Sequence, residues 1–138
     1  DHALEKGYTV AWGTDVSEPY FSWKNGIAYV PEAAAKKMTP AEKAEIFRRP
    51  DPEMNITSDL RQEAFDNYST TDDHGMQIIG IAKDQNGRGY YIVKNSWGTK
   101  NDYDGFLYVS KAYVQYKTTS FLVNKNGIPA DVKKKIGI

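Results

Sequence analysis

Apolar and polar positions are ordered into clear runs in the second half of the chain and only in patches in the first. Residues 76–82 and 89–94 are two β-branched and aromatic runs separated by Asp84-Gln85-Asn86-Gly87. Runs of this length and make-up read as strands, and Asn-Gly between them signals a tight reversal. Residues 105–110 and 118–123 predict two more strands, with a short helix over 111–115 and a closing helix over 129–135. In the first half, residues 1–6 read as the end of a helix stopped at Gly7, and Tyr8 to Trp12 as a strand. Residues 17–38 follow neither period and mix Pro, Gly, Asn and aromatics, which predicts a long excursion. Thr39-Pro40-Ala41-Glu42 then opens a short helix. Thr39 caps it, Pro40 suits its first position, and Glu42 completes a capping box. This helix should stop before Pro50-Asp51-Pro52. Thr57-Ser58-Asp59 precedes another helix over 60–65, with Leu60, Ala64 and Phe65 facing inward. The pattern as a whole predicts an α+β domain: an antiparallel, curled, barrel-like sheet with a few short helices.

The chain has 138 residues, enough for one domain with a real core and not comfortably for two. Eighteen basic and eighteen acidic residues cancel, so no field steers the chain toward nucleic acid or an anionic membrane. The run Lys133-Lys134-Lys135 reads as a solvated helix end. No apolar stretch has the length of a membrane span and no signal peptide is visible. The first residues, Asp1-His2-Ala3, suggest a processed chain or a fragment, which leaves an exported form open. The absence of cysteine rules out a disulfide framework.

The candidate chemistry lies at the two ends of the 76–94 hairpin. His74, in Asp72-Asp73-His74-Gly75-Met76, stands where the first strand begins. Asn95, in Lys94-Asn95-Ser96-Trp97-Gly98, stands where the second ends. A hairpin brings those two points side by side. Histidine held by asparagine is two thirds of a Cys-His-Asn unit. The imidazole would take a thiol proton and later protonate a leaving amine, while the asparagine carbonyl would orient the ring without adding charge. Trp97 can cover the His–Asn hydrogen bond and exclude competing water. Gly75 and Gly98 remove side chains where a substrate backbone could approach. A metal site at Asp72, Asp73 and His74 is disfavoured because adjacent residues rarely point at one ion. No cofactor is expected. Asn101, Asp102 and Asp104 resemble a fragment of a calcium loop that lacks its closing acidic ligand. Asn55-Ile56-Thr57 and Asn67-Tyr68-Ser69 match glycosylation acceptors, a pattern frequent by chance.

Asp73-His74-Gly75 and Val93-Lys94-Asn95-Ser96-Trp97-Gly98 resemble the histidine and asparagine motifs of papain-superfamily cysteine peptidases. Three stretches resemble the bleomycin hydrolase and aminopeptidase C branch. They are Val10-Ala11-Trp12-Gly13-Thr14-Asp15-Val16, the approach from Arg61-Gln62-Glu63-Ala64-Phe65-Asp66 to Thr71-Asp72-Asp73-His74-Gly75-Met76, and the helix-like ending at Val132. The resemblance implies that residues 1–138 form the sheet lobe that carries the histidine and asparagine. A helical lobe bearing the cysteine and an oxyanion-hole glutamine is absent. It implies His74 as base, Asn95 as orienter, and Trp97, with Asp73 and Gly75, at the substrate cleft. The implied partners are a peptide substrate and the Cys-bearing lobe or chain, with homo-oligomerisation open and a cytoplasmic location by likeness. A lobe separated from its partner should expose an apolar face around His74 and Trp97. Aminopeptidase members carry a C-terminal arm whose carboxylate receives the substrate's amino group. With the chain ending at Ile138, little or no arm is expected. A reading from another class is a non-catalytic binding or regulatory module built on the same lobe.

Overall fold

The computed structural model describes residues 1–32, 39–45, 47–48 and 51–138. The strands among these are β1 (Val10–Thr14), β2 (Phe21–Ser22), β3 (Ile27–Ala28), β4 (His74–Lys83), β5 (Gly89–Lys94), β6 (Phe106–Ser110) and β7 (Thr118–Val123). They form one sheet in the order β2-β3-β6-β5-β4-β1-β7. Helices α1 (His2–Glu5), α2 (Pro40–Glu45), α3 (Ser58–Asp66), α4 (Lys111–Lys117) and α5 (Ala130–Ile136) surround it, with a 3-10 turn at Lys125–Gly127. The expected α+β architecture is present. One pairing departs from the antiparallel expectation: β3 runs parallel to β6. Both β2 and β3 are two-residue strands inside the expected excursion, too short to leave an alternating pattern. Residues 33–38 of that excursion, and Pro50 at the expected end of α2, lie outside the described residues.

Local chemistry sets the boundaries. β1 starts two residues later than its pattern suggests because the Tyr8 N–H donates to the Ala3 carbonyl at 2.9 Å, which ends α1. It runs on to Thr14 because Gly13 and Thr14 pair with Gly75 and His74. The reversal between β4 and β5 is a four-residue turn. The Gly87 N–H donates to the Asp84 carbonyl at 3.0 Å, and Asp84 Oδ1 accepts from the Asn86 and Arg88 N–H groups. Gly87 is left-handed at φ +80° while Asn86 is not, so this is not the two-residue Asn-Gly form. The Thr39–Glu42 capping box forms in both directions. Thr57 Oγ1 caps α3 by accepting from the Leu60 N–H at 3.1 Å. Ala64 is buried as expected, but Phe65 is 61% exposed. α3 docks instead through Arg61, whose guanidinium donates to the Gln115 and Thr118 carbonyls.

The core lies on one face of the sheet. Trp12, Met76, Ile78, Val93, Leu107 and Val109 pack there against Tyr113 and Val114 of α4. The rings of Trp12, Tyr20 and Phe21 all meet Tyr113, with centroids 6.4, 6.1 and 6.3 Å away. Trp12 belongs to β1 and Phe21 to the far edge strand, so the sheet must curl for both to touch one ring. Burial pushes the Tyr113 phenol far above its ordinary pKa, and its O–H donates to the Asp15 carbonyl at 2.6 Å.

Candidate active site

The curl brings one end of β4, β5 and β1 over the aromatic side of the core. His74 pairs with Thr14 and shares inward parity with Met76 and Ile78. Asn95 directly follows β5 and shares parity with Val93. Since Gln77 pairs with Lys94, Asn95 falls opposite Met76, on the diagonal from His74. The side chains meet there: His74 Nε2 lies 2.8 Å from Asn95 Oδ1.

A backbone group determines which way that bond runs. Asn95 Oδ1 also accepts from the Ser96 N–H at 2.7 Å, and a backbone N–H can only donate. The amide orientation is therefore set, and Nε2 must be the donor to Oδ1. The neutral ring carries its lone pair on Nδ1, the nitrogen turned away from asparagine. The Asn95 N–H in turn donates to the Gly105 carbonyl at 3.1 Å, which anchors the residue from behind. Asn95 Nδ2 is buried without an acceptor among the described residues.

Trp97 lies over the pair, its ring centroid 4.6 Å from that of His74 and the planes tilted by 37°. Phe21 and Trp23 meet Trp97 edge-on at 6.0 and 5.7 Å. Sequence reasoning missed these two aromatics. Their only signal was a Phe-x-Trp pair inside a stretch without period.

The acidic neighbours do not face His74. Asp73 Oδ1 accepts from the Val16 N–H at 2.9 Å and Oδ2 from Ser17 Oγ at 2.5 Å. Burial works against its charged form, but the hydrogen bonds from Ser17 and Val16 outweigh this and hold the carboxyl below its usual range. Asp72 Oδ1 accepts from Thr119 Oγ1 at 2.6 Å. Asp72 thus ties the approach to β4 to β7, and Asp73 ties it to the segment that follows β1. The described residues contain no cluster of three or more His, Cys, Asp or Glu able to hold a metal ion. Asn101 belongs to no cation loop: its side chain is buried and spent on backbone groups.

A shallow groove of about 850 Å³ runs beside the pair over β4, β1 and β7. Ala11, Gly75 and Ser120 line it, with nothing within 4 Å of the place where a Gly75 Cβ would stand. Phe121 and Leu122 are exposed in its lining, interleaved with Gln77, Lys94 and Ser96.

A family model described as the Peptidase C1-like family matches residues 28–137. The chain belongs to the Peptidase C1-like family. The Peptidase C1-like match takes in His74, Asn95 and Trp97 and leaves β1 outside. Cathepsin L1 of Drosophila melanogaster is 31% identical over 93 residues, 59% of this chain and 24% of its own length. Cathepsin L of Sarcophaga peregrina is 29% identical over 97 residues, 62% of this chain and 27% of its own length. The crystal structure of PepW from Lactobacillus rhamnosis shares the fold, with a TM-score of 0.64 and 23% identity. That likeness covers 98% of this chain and 27% of PepW. The chain spans about a quarter of the length of these relatives.

Proposed function

We propose that this Peptidase C1-like chain supplies the base and its orienter to a cysteine peptidase, the nucleophile coming from a segment outside these 138 residues. The observation that carries the reading is the 2.8 Å His74–Asn95 contact with its direction set by Ser96. Nδ1 accepts the thiol proton, and the thiolate attacks the peptide carbonyl to give a tetrahedral oxyanion. The ring then returns that proton to the leaving amine, and the C–N bond breaks to leave an acyl-thioester. Water, deprotonated by the same Nδ1, hydrolyses the thioester and regenerates the thiol. Asn95 keeps Nδ1 aimed throughout, and Trp97 shields the Nε2–Oδ1 bond. The groove over β4, β1 and β7 is open enough to accept an extended peptide beside the base.

We place the enzyme in the bleomycin hydrolase and aminopeptidase C branch. The support is the resemblance of Val10 to Val16, Arg61 to Asp66 and Thr71 to Met76 to stretches of that branch. The partners proposed are a peptide and the Cys-bearing lobe, with self-association to be measured by sedimentation.

The test uses the intact protein that contains this chain. Turnover of peptide substrates should be lost on thiol alkylation and in His74→Ala. Full turnover in His74→Ala would overturn the mechanism. The branch is tested separately by comparing peptides with free and acetylated amino termini. Preference for free termini supports it, and equal turnover of both removes the aminopeptidase assignment.

A further inference from the structure

We infer that Asn101 is a positioning residue that holds Trp97 over the His74–Asn95 pair. The inference deepens the peptidase reading and rests on it for its catalytic consequence. Trp97 is 46% exposed and sits on the connection between β5 and β6, so surrounding bulk alone does not fix its ring. Its orientation over His74 depends on the edges of Phe21 and Trp23, which belong to a segment more than seventy residues earlier. Something must lock that segment to the Trp97 loop.

Asn101 is the residue placed to do so. It is 8% exposed and uses both ends of its amide. Nδ2 donates to the Trp23 carbonyl at 3.2 Å and to the Phe106 carbonyl at 2.8 Å. Oδ1 accepts from the Tyr103 N–H at 3.3 Å and the Gly105 N–H at 2.8 Å. One side chain therefore joins the Trp23 backbone, the start of β6 and the turn that closes the loop. The loop folds tightly back there: Gly105 has φ +89°, and a Cβ on it would stand 2.6 Å from the Gly98 carbonyl oxygen. The Gly105 carbonyl also receives the Asn95 N–H, so the backbone behind the orienting asparagine belongs to the same unit. Neither alanine, which lacks all four contacts, nor aspartate, which lacks both donors, can reproduce this arrangement.

The test reads the geometry directly by NMR of the intact protein, with the His74 ring protons assigned by their loss in His74→Ala. Stacked under an indole, these protons are shifted by its ring current. Asn101→Ala should move them toward the position seen in Trp97→Ala. It should also lower kcat/KM about tenfold through kcat, as misplacement of a shielding group does. A purely structural role would lower the melting temperature and leave the His74 resonances in place, and that result would overturn the inference. If Asn101→Ala does not fold, Trp23→Leu and Trp23→Phe carry the test. The leucine should displace the His74 resonances and the phenylalanine, which keeps an aromatic edge, should restore them. Identical resonances in the two would overturn the inference. Full turnover in His74→Ala would instead sink the peptidase reading and leave the resonance result standing.

Discussion

Which nitrogen of His74 would serve as base in the proposed peptidase follows from a neighbour that does no chemistry. The Ser96 N–H makes Oδ1 the accepting atom of Asn95, Nε2 must therefore donate to it, and Nδ1 is left basic. His74→Ala should cost roughly 10²–10⁴-fold in kcat/KM in the intact enzyme, because it removes proton transfer itself. Asn95→Ala should cost less, because the ring survives with its orientation relaxed. The double variant should be no worse than His74→Ala, since the two act as a unit. Steady-state kinetics of the three variants checks this. Asp73 makes a pH prediction. Its folded-state pKa lies below the unfolded one, so its stabilisation is complete above the unfolded carboxylate range and is lost as pH falls through the folded value. Asp73→Asn should therefore melt below the wild type at neutral pH, and the gap should close in acid. A gap that persists at low pH would assign the effect to shape rather than charge.

At the scale of elements, the β4–β5 hairpin delivers His74 and Asn95 to one place, and Gly87 closes it. An L side chain in the left-handed region costs about 1–2 kcal/mol. Gly87→Val should lower stability by about that amount in denaturant unfolding. α3 leads toward the His74 end of the sheet and is capped by Thr57, so Thr57→Ala should cost about 1 kcal/mol by the same measurement. The hairpin and the Thr39–Glu42 capping box were legible in the chain because they depend on neighbours a few residues apart. The outward placement of Phe65 was not legible. Helical period says which residues share a face, but α3 is held by Arg61 reaching two carbonyls, and Phe65 is left in solvent.

The whole molecule is tied together by a charge that no pattern predicted. Lys117 is 1% exposed. Its ammonium pairs with Glu18, donates to the Ser69 carbonyl at 2.6 Å and lies 4.5 Å from the centroid of the Tyr116 ring. It thereby joins α4, the segment after β1 and the approach to β4. Removing one partner of a buried pair costs about 3–5 kcal/mol, largely because the other charge is left unpaired. Lys117→Met should show that loss in denaturant unfolding, and Lys117→Met with Glu18→Leu should recover part of it. No recovery would mean that the Ser69 contact, rather than the ion pair, carries the stability.

The amino-acid sequence by itself determined the strands of the second half, the Thr39–Glu42 capping box, the hairpin and the nearness of His74 to Asn95. Each follows from period, turn chemistry or register over some twenty residues, where chain connectivity leaves few alternatives. Tertiary structure decided the parallel β3–β6 pair, the curl around Tyr113, and the seating of Phe21 and Trp23 on Trp97. It also made Asn101 a bracket between backbone groups of separate segments. These features join segments tens of residues apart. Which of many apolar side chains meet at such distances is settled by packing of the whole core, and that packing leaves no mark on local sequence.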